Sequence, residues 1–314
     1  MGATRAATEA AREGRPGIFY PAGDMGTGER RLRAAVRPLS SLLSPMATTR
    51  TLRLAATADL HYHRHAAGTH RALFEAASAE ADVLLLCGDL TDYGLKEEAE
   101  VLAEDLRTYC SIPVLAVLGN HDYEAGHPEA ICEALDRVHV QVLDGSVAVV
   151  DGVGFAGVKG FGGGFGRYAL SAWGEPTIKA FVQAAVDDAL RLDAALSRLD
   201  TEYEVEHRVV LLHYAPIAET VAGEPEVIYP FCGSSRLEDP LNRYDVAAVF
   251  HGHAHAGAPE GKTTAGVPVY NVGVPVLRRA FPDHPPFRVV ELELRADEED
   301  THAEASAANG RSAR

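Results

Sequence analysis

No stretch of this sequence stays apolar for anything near the roughly 20 residues that a membrane-spanning helix needs. Its long apolar runs are of the order of 83–87 and 209–212, the length of buried strands. No membrane partner is expected. Cysteine is also sparse: Cys87, Cys110, Cys132 and Cys232 are scattered, with no CxxC pair. That argues against a zinc ribbon or a disulfide framework and for reduced core thiols, hence a reducing, cytoplasmic location. Aromatic residues make up only 7% of the chain, yet hydrophobic ones make up 46%. An aliphatic core is available, and the composition is not that of a disordered chain.

Positive charge is the other shortage. The formal net charge is −16 over 314 residues, and it is unevenly spread. Residues 1–50 hold eight arginines against four acidic residues, whereas the remainder holds 21 basic and 41 acidic groups. Long nucleic acid demands a basic footprint that such a body lacks, so no nucleic-acid partner is expected. A small phosphate ester remains admissible if metal ions supply positive charge locally.

Residues 1–48 and 296–314 are expected to be disordered extensions of a single domain over 49–295. The first 45 residues are rich in Ala, Arg, Gly and Pro and show no sustained apolar period. An Arg-rich start suits a targeting segment, but Glu9, Glu13, Asp24 and Glu29 weigh against one, as does the lack of an apolar secretory region. Met46 offers an alternative initiator. Between the extensions, apolar runs predict strands over 51–58, 82–87, 113–118, 140–143, 147–150, 154–158, 208–212, 246–250, 267–271 and 287–294. Helical spacing predicts helices over 69–80, 96–109, 128–137 and 177–199. Repeated βα units in front of β-rich segments indicate an α/β protein whose helices cover a central β-structure.

The conspicuous polar clusters each follow one of those strands. Asp59-Leu60-His61 follows the first, Gly88-Asp89-Leu90-Thr91-Asp92 the second, and Gly119-Asn120-His121-Asp122 the third. His213 ends the strand over 208–212, and Gly252-His253-Ala254-His255 follows 246–250. Carboxyl ends of strands in an open α/β sheet face one crevice, so five such loops can converge. In an extended segment Asp59 and His61 would share a face, as would His253 and His255, each pair forming a chelate. Gly88 and Gly119 would let the backbone turn tightly where side chains aim inward. Carboxylate, imidazole and amide oxygen without thiolate suit Mn, Fe, Zn or Co. The donors are too many for one ion and fit two ions about 3.5–4 Å apart, bridged by a carboxylate.

These five blocks, D-x-H, G-D-x-x-D, G-N-H-[DE], a lone His and G-H-x-H, occur in order from Asp59 to His255 and resemble the calcineurin-like metallophosphoesterase superfamily. The resemblance implies a four-layer α/β/β/α sandwich of two mixed sheets flanked by helices. It implies one metal held by Asp59, His61, Asp89 and His255, and another by Asp89, Asn120, His213 and His253, with Asp89 bridging. A bridging hydroxide would attack phosphorus in line. His121 would stabilise the phosphoryl charge or protonate the leaving alkoxide, and Asp122 would hold that imidazole in the right tautomer. Asp92 either orients a ligand imidazole or caps its loop.

Other polar features carry weaker expectations. His251 is read as a neighbour of the centre and not a ligand, while His63 and His65 belong to the rim or touch substrate. The glycine tract from Gly157 to Arg167 is either a plain connection or a substrate loop whose Lys159 or Arg167 reaches a phosphate; it lacks the spacing of a P-loop. Tyr62, Tyr214 and Trp173 are candidate pocket walls. The reading is a hydrolase of small phosphate esters, foremost phosphodiesters, since 216–242 leaves room for no more than a lid. Phosphomonoesterase or protein phosphatase activity is the alternative, ahead of a nuclease or the non-catalytic scaffold this fold provides in the retromer coat.

Overall fold

Strict alternation along the central strands sends successive side chains to opposite faces, and that alternation generates the layers. The computed structural model describes residues 49–295, so the extensions expected over 1–48 and 296–314 lie outside the described residues. The front of the chain runs β1 (Thr49–Thr57), α1 (Arg71–Glu80), β2 (Val83–Cys87), α2 (Lys96–Tyr109), β3 (Val114–Val117), α3 (Pro128–Asp136) and β4 (Gln141–Val142). It continues through β5 (Ser146–Val150), β6 (Val153–Gly157), α4 (Pro176–Thr201) and β7 (His207–Leu211). Two helical turns follow, α5 (Tyr229–Cys232) and α6 (Glu238–Leu241), then β8 (Ala248–His251), β9 (Glu260–Lys262), β10 (Pro268–Asn271), α7 (Val274–Ala280) and β11 (Arg288–Arg295).

Two sheets form. The first has the order β11-β1-β2-β3-β4 and the second β5-β6-β7-β8-β10-β9. Both are mixed: β11 is antiparallel to β1, and the edge pairs β5–β6 and β10–β9 are antiparallel around otherwise parallel ladders. Leu52, Leu54, Val83, Leu85 and Val117 of the first sheet meet Phe155, Val209, Leu211 and Phe250 of the second in one buried cluster. On the opposite face of the first sheet, Leu84, Leu86 and Ala116 pack on Phe74, Leu102, Ile131 and Leu135 of α1–α3. On the far face of the second, Val210, Val249 and Val269 pack on Leu192, Leu196 and Leu199 of α4. The result is the expected α/β/β/α sandwich. Because β2 is covered on both sides, it is apolar throughout and fully buried.

The two sheets are stitched at the carboxyl end of β1. Ala58 N–H donates to Val272 O at 2.9 Å, and Val274 N–H donates back to Ala58 O at 3.0 Å. That link brings the loop after β1 beside the loops of the second sheet. Four elements were not foreseen: the four-residue turns α5 and α6, and β9 and α7. β9 is a three-residue polar edge strand, and α7 is seven residues opened by Pro275, each too short to display a period.

Candidate metal centre

The chain bends sharply where the first-sheet strands end. Asp59, His61, Asp89 and His253 are four of the six non-glycine residues with positive φ among the described residues, at 59°, 47°, 48° and 68°. Left-handed backbone costs an L-residue about 1–2 kcal/mol, and Asp and His tolerate it better than most. The expectation that Asp59 and His61 converge through strand alternation is therefore corrected. β1 has already ended, and successive left-handed kinks aim both side chains inward. His253 and His255 do not form one chelate either; they diverge into two different groups. Gly88 does turn in the left-handed region (φ 86°), but Gly119 does not. At Gly119 the requirement is space, since a Cβ there would collide with the backbone nitrogen and carboxylate of Asp89.

One group of potential ligand atoms comprises Asp59, His61 and His255, and another comprises Asp89, His213 and His253. Asn120 joins the second, its Oδ1 lying 2.9 Å from His213 Nε2. Asp89 faces both: its Oδ1 is 3.2 Å from His213 Nε2, and its Oδ2 is 3.9 Å from His61 Nε2. The seven expected residues are thus brought near one another, and a further group of potential ligand atoms, His61, Asp92 and His121, overlaps the first. Each of the first two groups draws on loops from both sheets. His255 is the most open, with a side chain 45% exposed, whereas Asp59 and His213 are fully buried there.

Hydrogen bonds to carbonyls select the imidazole nitrogens that point inward. His213 Nδ1–H donates to Cys87 O at 3.0 Å, leaving Nε2 for the centre. His253 Nε2–H donates to Phe231 O at 3.0 Å, leaving Nδ1. Such outer contacts set tautomer and ring orientation. His61 differs, because both its ring nitrogens are buried without a hydrogen-bond partner, an arrangement that a metal bond resolves.

Electrostatics agree with a cation site. Burial raises the Asp59 carboxyl, but His255 and His213 outweigh it and hold it below its usual value. Asp89 is likewise held well below the carboxylate range against burial, chiefly by His213. Burial lowers His213, and Asp89 and Asp59 overcome it, carrying it up to about 9. Burial drives His253 down to about 4, with His213 acting in the same sense. Two buried carboxylates with oxygen and imidazole donors and no thiolate fit divalent transition metals.

His121 stands beside the ligands. Its ring centroid lies 4.7 Å from that of His61, its backbone N–H donates to Asp89 Oδ1 at 2.9 Å, and its Nδ1–H donates to Asp92 O at 2.6 Å. The role expected of Asp122 is not met, since its carboxylate does not touch this imidazole. It accepts instead from Gly119 N–H at 2.7 Å, Thr91 N–H at 2.8 Å, Thr91 Oγ1–H at 2.6 Å and Leu90 N–H at 3.2 Å. Asp122 clamps the loop after β2 to the loop after β3, and the carbonyl of Asp92 does what was assigned to it. The Asp92 carboxylate lies 3.7 Å from His61 Nδ1. Asp122→Ala should strand three buried backbone donors and destabilise the metal-free protein by about 2–4 kcal/mol in urea unfolding. A loss below about 0.5 kcal/mol would contradict the clamp.

The remaining expectations divide. His251 is buried and satisfied by Thr220 Oγ1 and Gly252 O, each at 2.8 Å, so it is no ligand. His63 and His65 are exposed. Tyr62 is not a pocket wall: it is fully buried and its hydroxyl donates to Asp105 at 2.8 Å. Tyr214 does flank the centre, its ring 4.3 Å from that of His253, while Trp173 is 71% exposed. Arg167 is exposed and donates to the Tyr168 hydroxyl. Lys159 is part-buried, and its carbonyl accepts the N–H groups of both His213 and Tyr214 at 2.9 and 3.1 Å. Sequence reasoning passed over Asn271, whose side-chain amide donates to Ala254 O at 2.8 Å and supports the loop of His253 and His255. A polar residue closing an apolar strand was the available signal.

A four-layer α/β sandwich whose Asp, Asn and His side chains converge at strand ends defines a metal-dependent phosphoester hydrolase. The calcineurin-like phosphoesterase model matches residues 52–257, and the chain belongs to that family. No curated protein matches it in sequence. Among solved structures, the phosphopantetheinyl hydrolase of Mycobacterium tuberculosis is similar with a TM-score of 0.53 at 18% identity, over 76% of this chain and 95% of that one. TT1561 of Thermus thermophilus gives 0.49 at 16% identity, over 77% of this chain and 99% of that one. At 18% identity the likeness to the hydrolase is one of fold. No helix among the described residues is long and apolar enough to cross a membrane.

Proposed function

We propose that this chain hydrolyses small phosphate esters, foremost phosphodiesters, at a two-metal centre formed by Asp59, His61, Asp89, Asn120, His213, His253 and His255. The observation that carries this reading is the placement of Asp89, whose two oxygens face the two ligand groups. Divalent ions, if held there, would supply Lewis acidity toward phosphoryl oxygens and a lowered pKa for water. The chain's own residues do the rest. The carbonyls of Cys87 and Phe231 hold the His213 and His253 rings in ligating orientation. His121, with Nδ1–H tied to Asp92 O, directs Nε2 away from that bond; when protonated it can hand a proton to the leaving oxygen.

The diester preference rests on the short segment between β7 and β8, which adds helical turns and no accessory domain. Purified protein loaded with Mn, Fe or Zn should hydrolyse bis-p-nitrophenyl phosphate with a higher kcat/KM than p-nitrophenyl phosphate, and a chelator should abolish both. A clear preference for the monoester would replace the diesterase reading with the phosphatase one. No turnover of either ester under any metal would remove the hydrolase reading.

A further inference from the structure

Beside the centre, the ammonium of Lys159 sits among three aromatic rings, 5.5 Å from the centroid of Tyr123, 4.9 Å from Phe161 and 5.0 Å from Tyr214. Two of these rings adjoin the ligand loops in sequence: Tyr214 follows His213, and Tyr123 lies three residues beyond Asn120. A cavity of about 230 Å³ opens here, lined by Lys159, Tyr123 and Leu118, the last immediately before Gly119-Asn120. The rings hold the ammonium only by weak cation–π contact, and it donates one hydrogen bond, to Gly160 O at 2.8 Å. Among the described residues no carboxylate lies within ion-pairing distance of it. Asp144 and Asp188, whose field reaches it, are both engaged by Arg191. Glu129 and Asp144 also line the cavity, but the Glu129 side chain is 69% exposed to solvent and Asp144, 52% exposed, is paired with Arg191.

We infer that Lys159 is a specificity residue: it binds an anionic substituent on the alcohol portion of the substrate, a carboxylate or a second phosphate, in the cavity walled by Tyr123 and Leu118. Two donors of a part-buried ammonium are available to such an oxyanion, and charge-assisted bonds to a desolvated partner are the stronger kind. The cavity is smaller than a drug-sized pocket of roughly 300–1,000 Å³, so it suits one ring-sized substituent and excludes a polymer. Arg167, the other cation expected to reach substrate, is folded onto Tyr168 and does not compete for this role.

The inference rests on the hydrolase reading, and the test separates the two. Matched diesters are p-nitrophenyl benzyl phosphate and p-nitrophenyl 4-carboxybenzyl phosphate, which release the same p-nitrophenolate. The wild-type protein should favour the carboxylate compound in kcat/KM by about tenfold or more, the loss expected when one charge-assisted bond goes. Lys159→Met, which keeps the apolar stem, should bring the ratio near one, and Lys159→Arg should retain most of it. A wild-type ratio near one, or a ratio that survives Lys159→Met, overturns the inference. If neither ester is turned over, the hydrolase reading falls and binding decides the subsite. Tighter calorimetric binding of 4-carboxybenzyl phosphate than of benzyl phosphate, lost in Lys159→Met, supports it; equal binding overturns it.

Discussion

Asp89→Ala is expected to lose metal and activity together. Asp89 faces both ligand groups, with Oδ1 at 3.2 Å from His213 Nε2 and Oδ2 at 3.9 Å from His61 Nε2. Removing it leaves each group a donor short and takes away the carboxylate that lies 3.2 Å from Nε2 of buried His213. Losing even an outer partner of a metal ligand weakens affinity by about 10–100-fold, so loss of a shared ligand should exceed that range. The alanine variant also carries a backbone penalty of about 1–2 kcal/mol, because position 89 is left-handed. Asp89→Asn separates the two effects. Asparagine tolerates that backbone and can still accept from His121 N–H, yet it brings no negative charge. Metal content by mass spectrometry should fall in both variants, with thermal unfolding of the asparagine variant near that of metal-free wild type. Full occupancy in Asp89→Ala would remove Asp89 from the centre.

The layers of this fold were legible because their cause is periodic. Every strand and helix of five residues or more, except α7, follows from an apolar run or from helical spacing, and the candidate ligands could be placed because each follows a strand. The way they converge was not legible. Nothing in Asp59-Leu60-His61 distinguishes an extended pair from one kinked twice into the left-handed region; in the fold Asp59 N–H donates to Gly88 O and His61 N–H to Asp89 O, each at 3.0 Å, bonds to a distant loop. The partner of His121 was misassigned for a related reason. Asp122 is its sequence neighbour and a carboxylate, but the bond is made by the Asp92 carbonyl, and a carbonyl has no letter in the sequence. The contact of Phe231 O with His253 escaped notice in the same way. Backbone groups orient the imidazoles here, and only the folded chain says which ones.

That distinction gives the His121→Ala experiment its meaning. His121 touches the centre through its main chain, donating to Asp89 Oδ1 at 2.9 Å, and alanine keeps that bond. Metal content should therefore stay at the wild-type level, in contrast to Asp89→Ala. Turnover should fall by about 10²–10⁴-fold, the range for a lost general acid. The size of the fall should depend on the ester. An alkoxide needs a proton as it departs and p-nitrophenolate hardly does, so an alkyl diester should suffer more than bis-p-nitrophenyl phosphate. Equal losses on the two would assign His121 to charge stabilisation at the phosphoryl group, and coupled loss of metal would place it among the ligands. Rescue of the alkyl ester by added imidazole would identify the missing element as the proton at Nε2, the nitrogen left free when Nδ1–H is tied to Asp92.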